Sequence, residues 1–296
     1  MIPQLKNTIT CKQGNMSEVQ AGEHPDYGRV VLKSITPRLE GVPRFESRWS
    51  QEILISSLLS LHTNVPKVFE YGVIPKPWYL QEWIGIKSLR DWMNSREYPL
   101  KANDLITAKN IIDKLFEIIH ISSSFGIIHR DITPENIILN SLNVPFIVDW
   151  GLATYVGEKL KIEKNLYLNN IRNIGENRLT EEWRRHGRPG YAPPEQANAF
   201  YDKASIKNDI YSIVVIALEM LSGQIVFDKP GLNSLEVITM QQNIYTLNDL
   251  EPWIIEICGH EILNFLIGDP EKRSIDIDYV IILLKEVIEC LMRKSA

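Results

Sequence analysis

His129-Arg-Asp-Ile-Thr-Pro-Glu-Asn-Ile-Ile-Leu139, followed by Val148-Asp149-Trp150-Gly151, is the part of this chain that constrains the rest. Asp131 and Asn136 stand five residues apart in a segment that reads as a loop, and Asp149 follows an apolar run that reads as a strand. Three oxygen-bearing side chains gathered in this way suit a magnesium-bound phosphate. Mg²⁺ is a hard ion that prefers carboxylate and carbonyl oxygen and shares its shell with substrate phosphates. An Asp in a loop is usually only a turn former, so the remainder of the chain has to supply the other parts of such a site.

The bulk properties bound the answer. With 296 residues the chain has length for a large domain or two lobes and an ample core. A net charge of -5 gives no electropositive footprint for nucleic acid. Cys11, Cys258 and Cys290 are widely separated, which excludes the usual zinc spacings and a dense disulfide framework and fits a reducing compartment. The N-terminus has no basic segment leading into an apolar run. The most apolar helical stretches, 210–221 and 279–292, are short and carry Glu219, Lys285 and Glu286. The expectation is a cytoplasmic protein without a membrane span, of unspecified oligomeric state.

The two opening stretches resemble the catalytic loop and metal-binding loop of eukaryotic-type protein kinases. The family pattern H-R-D-L-x-x-x-N reads H-R-D-I-T-P-E-N here, and D-F-G reads D-W-G. The resemblance implies an α+β, bilobal fold in a single kinase domain. It places a β-rich N-lobe with one main helix at about 1–82, a hinge at about 83–86 and a larger, mostly helical C-lobe at about 87–296. It also implies ATP with Mg²⁺ (or Mn²⁺) and a protein substrate, the chain itself included. Asp131 would orient the attacking hydroxyl, Asn136 and Asp149 would hold the metal, and Arg130 would answer a phosphorylated activation loop.

The other family parts can be followed along the chain. Three strands are expected near 8–12, 18–21 and 29–35. A glycine-rich phosphate loop anchored on Val19 keeps only Gly14 of its three glycines, with Lys12 and Ser17 at the other two places. Val30-Val-Leu-Lys33 resembles the strand whose lysine contacts the ATP phosphates. The helix expected over 44–61 carries Glu52, the partner that the resemblance assigns to Lys33, at a separation of 52 − 33 = 19. Strands are expected at 65–73 and 78–84. By alignment Gln81 holds the gatekeeper position, with the Glu82 carbonyl and the Ile84 N–H placed to bond adenine. Asn103 is the expected N-cap of a helix running to Phe125 and ended by Gly126.

Gly187-Arg-Pro-Gly-Tyr-Ala-Pro-Pro-Glu195 resembles the segment that closes the activation loop and presents a substrate peptide. Within the loop from Asp149 to Glu195, Thr180 is the best-placed phosphoacceptor. Two departures stand out. Serine/threonine kinases carry Lys two positions after the catalytic Asp and Thr after the first glycine of this segment, whereas this chain has Thr133 and Arg188. The cation and the hydroxyl are exchanged, so Arg188 is expected to supply the positive charge near the γ-phosphate. Asp209, at the start of an apolar helix, is expected to cap the catalytic loop, and Arg273 to pair with Glu195. No helix is assigned within 229–250. Serine/threonine specificity is favoured, and tyrosine or dual specificity stays open because neither group's usual loop cation is present. A pseudokinase acting as a binding module is the alternative, drawn from the degraded glycine loop and Trp150. A small-molecule kinase is disfavoured by the peptide-docking segment.

Overall fold

The period-2 runs of the first part of the chain build an antiparallel sheet. The computed structural model describes residues 2–13, 17–39, 43–72, 76–156, 187–197, 204–227 and 230–295. Strands β1 (Lys6–Gln13), β2 (Ser17–His24) and β3 (Gly28–Ile35) precede helix α1 (Pro43–Leu59), which leads to β4 (Val68–Gly72) and β5 (Trp78–Glu82). The strands lie in the order β1-β2-β3-β5-β4. Because side chains alternate across a strand, Val30 and Leu32 pack with Trp78 and Leu80 on one face, while Ile35 and Tyr79 pack with Trp49 and Ile53 of α1 on the other. Lys33 falls on the face that α1 covers, opposite Val19 on one side and Tyr79 on the other. It is buried for that reason.

A two-residue strand β6 (Lys87–Ser88) opens the second lobe. It continues through α2 (Leu89–Asn94), α3 (Ala102–Ser124), β7 (Ile127–Ile128), β8 (Ile137–Leu139), β9 (Pro145–Ile147) and β10 (Thr154–Tyr155). Then come α4 (Pro194–Ala197), α5 (Ile206–Ser222), α6 (Ser234–Gln242), α7 (Pro252–Cys258), α8 (Leu263–Leu266) and α9 (Ile277–Ser295). Every residue of α5 from Asn208 to Leu221 is buried, as a helix that is apolar all round should be. With α3 and α9 against it, α5 forms the centre of the larger core. The β-sheet lobe and the helical lobe together make the bilobal protein-kinase fold.

Four element expectations need correction. Asn103 does not cap α3: the helix begins at Ala102, its N-cap Lys101 makes no side-chain cap bond, and the Asn103 carbonyl accepts from Thr107 Oγ1 at 2.9 Å. Leu100 and Leu105, spaced as a hydrophobic staple, are both buried in the core and set the entry of the chain. At the far end Gly126 takes φ +75°, where a Cβ would be strained, and stops the helix. Strand β4 begins at 68 rather than 65, residue 73 lying outside the described residues, and β5 ends at Glu82 rather than 84. Between 229 and 250 lies α6, announced by an Asn233/Glu236 capping box that the apolar pattern alone did not disclose.

Candidate active site

The burial of Lys33 between sheet and helix demands partners, because an isolated ammonium is costly away from water. Its Nζ donates to Glu52 Oε1 at 2.5 Å and to Asp149 Oδ1 at 2.8 Å. Tyr79, opposite it in the sheet, donates its hydroxyl to the same Glu52 oxygen at 2.8 Å. Burial works against the charge on Lys33, and the carboxylates of Asp149 and Glu52 overcome it, holding the ammonium well above its usual range. One residue from β3, one from α1 and one from the start of the metal-binding loop thus meet on a single nitrogen. Gly151 leaves room for this: a Cβ there would lie 3.2 Å from Glu52 Oε2 and 3.3 Å from Asp149 Oδ1.

The catalytic loop is held from three sides. Both oxygens of Asp209, at the N-terminal end of α5, accept backbone N–H groups of the loop, from His129 at 2.8 Å and Arg130 at 2.9 Å. Burial pushes this carboxyl up to about 6, against the pull of those two N–H groups. The Arg130 carbonyl accepts from Gln196 Nε2 at 2.5 Å, which fixes a residue whose φ is +69°. His129 is wholly buried and its pKa is lowered to about 4 by desolvation, so it is neutral. Its Nδ1 accepts the Asp131 N–H at 3.1 Å, which leaves the proton on Nε2 to be donated to the Val148 carbonyl at 3.2 Å. The imidazole therefore ties the residue before Asp149 to Asp131.

Asn136 completes the arrangement. Its amide Nδ2 donates to the Asp131 carbonyl at 3.0 Å and to Asp131 Oδ2 at 3.1 Å, so its side-chain oxygen is the donor atom available to a cation. The backbone bond from Val148 N to the Asn136 carbonyl, at 2.9 Å, brings this residue to the stretch between β9 and Asp149. An amide oxygen and a carboxylate are hard donors that fit Mg²⁺ or Mn²⁺, ions that take the rest of their shell from water and phosphate. Trp150 fills the apolar slot behind them. It is buried, meets His129 edge-on at 4.5 Å, and donates its indole N–H to the Ile147 carbonyl at 3.2 Å.

The remaining expected residues are distributed as follows. Val19 faces Lys33 in the sheet, and Gln81 pairs with Val31. Glu82 ends β5 with its N–H on the Lys67 carbonyl at 2.8 Å, and Ile84 follows in the link between the lobes. Gly14 and Thr180 lie outside the described residues. Glu195 and Arg273 form a bidentate pair at 2.8 and 3.1 Å, with Asn208 Nδ2 on Glu195 at 3.2 Å and the guanidinium stacked 4.7 Å from the Tyr211 ring.

A further cluster was not foreseen. Arg188 Nη1 pairs with Glu135 Oε1 of the catalytic loop at 2.7 Å. That same oxygen accepts from Arg90 Nε of α2 at 3.1 Å, and Arg90 Nη1 reaches Glu219 Oε1 of α5 at 2.6 Å. The Tyr191 hydroxyl donates to Glu219 and is in hydrogen-bond contact with Arg90 Nη2. Glu219 is buried within a stretch of α5, Ile213 to Leu221, that is otherwise apolar. A carboxylate at such a position must have a partner, and that was the available signal.

A β-sheet lobe whose buried lysine is clasped by a helix glutamate and a loop aspartate, set against a helical lobe that presents Asp131 and Asn136, defines a protein kinase. The family model for the protein kinase domain matches residues 11–274, and the chain belongs to that family. It is similar to the probable serine/threonine-protein kinase PknB of Lactococcus lactis, with 26% identity over 90% of this chain and 39% of the relative. It is also similar to serine/threonine-protein kinase Pkn1 of Myxococcus xanthus (25% identity, 88% of this chain, 35% of the relative). A third relative is serine/threonine-protein kinase PrkC of Bacillus subtilis (24% identity, 88% of this chain, 37% of the relative). The chain thus spans less than two-fifths of the length of these relatives. Among the described residues, no helix is long and apolar enough to cross a membrane.

Proposed function

We propose that this chain transfers the γ-phosphate of ATP to serine or threonine hydroxyls of protein substrates, itself among them, with Mg²⁺ or Mn²⁺ held by Asn136 and Asp149. The observation that carries the reading is the meeting of Lys33 with Glu52 and Asp149, and of Asp131 with Asn136, whose carbonyl accepts from the N–H of Val148 next to Asp149. Lys33, already oriented by two carboxylates, directs its remaining N–H to the nucleotide phosphates. Asp131, held by Asn136 and by the imidazole of His129, accepts a hydrogen bond from the substrate hydroxyl and aims its oxygen at the γ-phosphorus. The metal supplies neutralisation of phosphate charge. Gln81, Glu82 and Ile84 border the adenine, Val19 of β2 lies over the phosphates, and Gly14, outside the described residues, is the glycine assigned to the phosphate loop.

Arg188 takes the part of the absent loop lysine. Thr133, buried at that lysine's place, brings no charge, whereas Arg188 is tethered to the same loop through Glu135. Arg130 and Thr180 form the proposed regulatory pair of the activation loop, and the reading places the reaction in the cytoplasm. Turnover in the range usual for protein kinases, about 1–100 s⁻¹, is expected.

The test is transfer of labelled γ-phosphate with Mg²⁺ onto the chain and a generic protein substrate, with phosphosite mapping. Asp131→Asn should lower kcat by about 10²–10⁴-fold. Label on serine or threonine that vanishes in Asp131→Asn supports the reading. Label on tyrosine overturns the specificity, and ATP binding without transfer leaves a binding module instead. Arg188→Ala should lower kcat strongly, and Thr133→Lys with Arg188→Thr should restore it.

A further inference from the structure

The cluster around Glu135 joins four segments that are far apart in the chain: α2, the catalytic loop, the peptide-docking segment and α5. Its chemistry is unusual in one respect. Two guanidiniums, those of Arg90 and Arg188, converge on a single carboxylate oxygen, Glu135 Oε1, while Oε2 of the same residue has no hydrogen-bond partner among the described residues. Glu135 sits one residue before Asn136 and four after Asp131, so its placement is coupled to both through the short 3-10 turn Pro134–Asn136.

The two arginines are held differently. Arg90 is fixed from behind by the buried carboxylate of Glu219, with Nη1–Oε1 at 2.6 Å and Nη2–Oε2 at 3.4 Å, and by the Tyr191 hydroxyl. A guanidinium is a rigid planar fork, so engaging both ends of Glu219 sets the direction of its remaining Nε–H. That N–H points to Glu135. Arg188 is the more exposed partner, its side chain 46% accessible against 22% for Arg90, and its guanidinium lies 5.8 Å from the Tyr191 ring centre. The network is therefore anchored at Glu219, with Arg188 as its more exposed member.

We propose that Arg90 is a positioning residue for phosphoryl transfer: by orienting Glu135 it sets the Arg188 guanidinium at the catalytic loop. The inference rests on the reading of Arg188 as the substitute for the loop lysine, and it assigns Arg90 no contact with the nucleotide. Glu219 and Tyr191 act as the anchor, and the Tyr191 carbonyl is itself held by Ser212 Oγ at 3.0 Å.

The test is a double-mutant cycle in the full chain, read by steady-state transfer to a protein substrate with ATP varied. Arg90→Lys keeps the charge beside Glu219 but loses the fork. It should lower kcat about tenfold while the KM for ATP stays within about twofold. Made in an Arg188→Ala background, the same change should lower kcat by less than about twofold, because the group through which Arg90 acts is gone. Arg90→Met with Glu219→Gln removes both charges together, so neither is left buried alone, and should repeat the pattern. Equal losses in both backgrounds, or a fall in melting temperature with kcat unchanged, would overturn the inference while leaving the reading of Arg188 intact. An Arg188→Ala variant with wild-type kcat would instead overturn that reading, and Arg90's action through it.

Discussion

Two charged clusters flank the catalytic loop, and they use opposite kinds of cation. The cluster at Lys33 buries an ammonium, a compact charge whose donors rotate, between the carboxylates of Glu52 and Asp149. The cluster at Arg90 holds a partly buried fork that engages Glu135, Glu219 and Tyr191 at once. A point charge suits a ligand that arrives and leaves. A planar fork suits chain segments that must keep a fixed relation. The difference teaches that similar ion-pair geometry can be built on a rotating point charge or on a rigid fork, which matches the proposed roles of ligand handling at Lys33 and alignment of the protein's own parts at Arg90.

Removing the lysine is the strongest way to break this contrast. Lys33→Met should lower kcat/KM by about 10²–10³-fold, the range for loss of one preorganised electrostatic donor, measured by phosphoryl transfer with ATP varied. A third pair, Glu195–Arg273, supplies the reference for a cluster with no part in ligand handling. Its side chains are 4% and 0% exposed. Arg273→Ala leaves a buried carboxylate without its partner and should cost about 3–5 kcal/mol in urea unfolding.

Acidification sharpens the picture of the loop between the clusters. From about pH 6.5, where an exposed imidazole titrates, down to about 4, where buried His129 does, the unfolded chain holds a proton that the folded chain lacks. Stability is therefore lost as pH falls through that window, by up to about 3 kcal/mol from this residue. Asp209, raised to about 6, works in the other direction, since the fold keeps its proton to a higher pH than the unfolded chain does. His129→Gln isolates the imidazole: it should be less stable at pH 7 but lose less on going to pH 4.5, followed by thermal melting. The smallest effect is expected at Trp150. Replacing it with Phe removes the bond to the Ile147 carbonyl and should cost about 1 kcal/mol, with transfer retained.

The parts that chemistry keeps close in sequence were legible. Asp131 and Asn136 lie in one loop, and Asp149 follows 149 − 136 = 13 residues later, just past β9, so residue type and spacing announce them together. Lys33 and Glu52 were reached through strand and helix periodicity joined to the family resemblance. Asn103 misled because its propensity as a cap was outweighed by the burial of Leu100 and Leu105, which sets the start of α3 two residues earlier. The α6 helix hid behind a weak apolar pattern, although Asn233 and Glu236 carried a readable cap.

By itself the sequence determined that a lysine strand, a glutamate helix and an Asp/Asn loop exist in this chain, because each is written in local spacing and residue chemistry. It also held a warning in Glu219, a carboxylate inside an apolar helix that could not stay unpaired. Which cation meets it was decided only by the tertiary structure. Arg90 lies 129 positions away, and only the packing of α2 and the catalytic loop against α5 brings its fork to that carboxylate and passes the contact on to Glu135 and Arg188. Long-range electrostatic pairing depends on distance in space, and the one-dimensional pattern does not encode that distance.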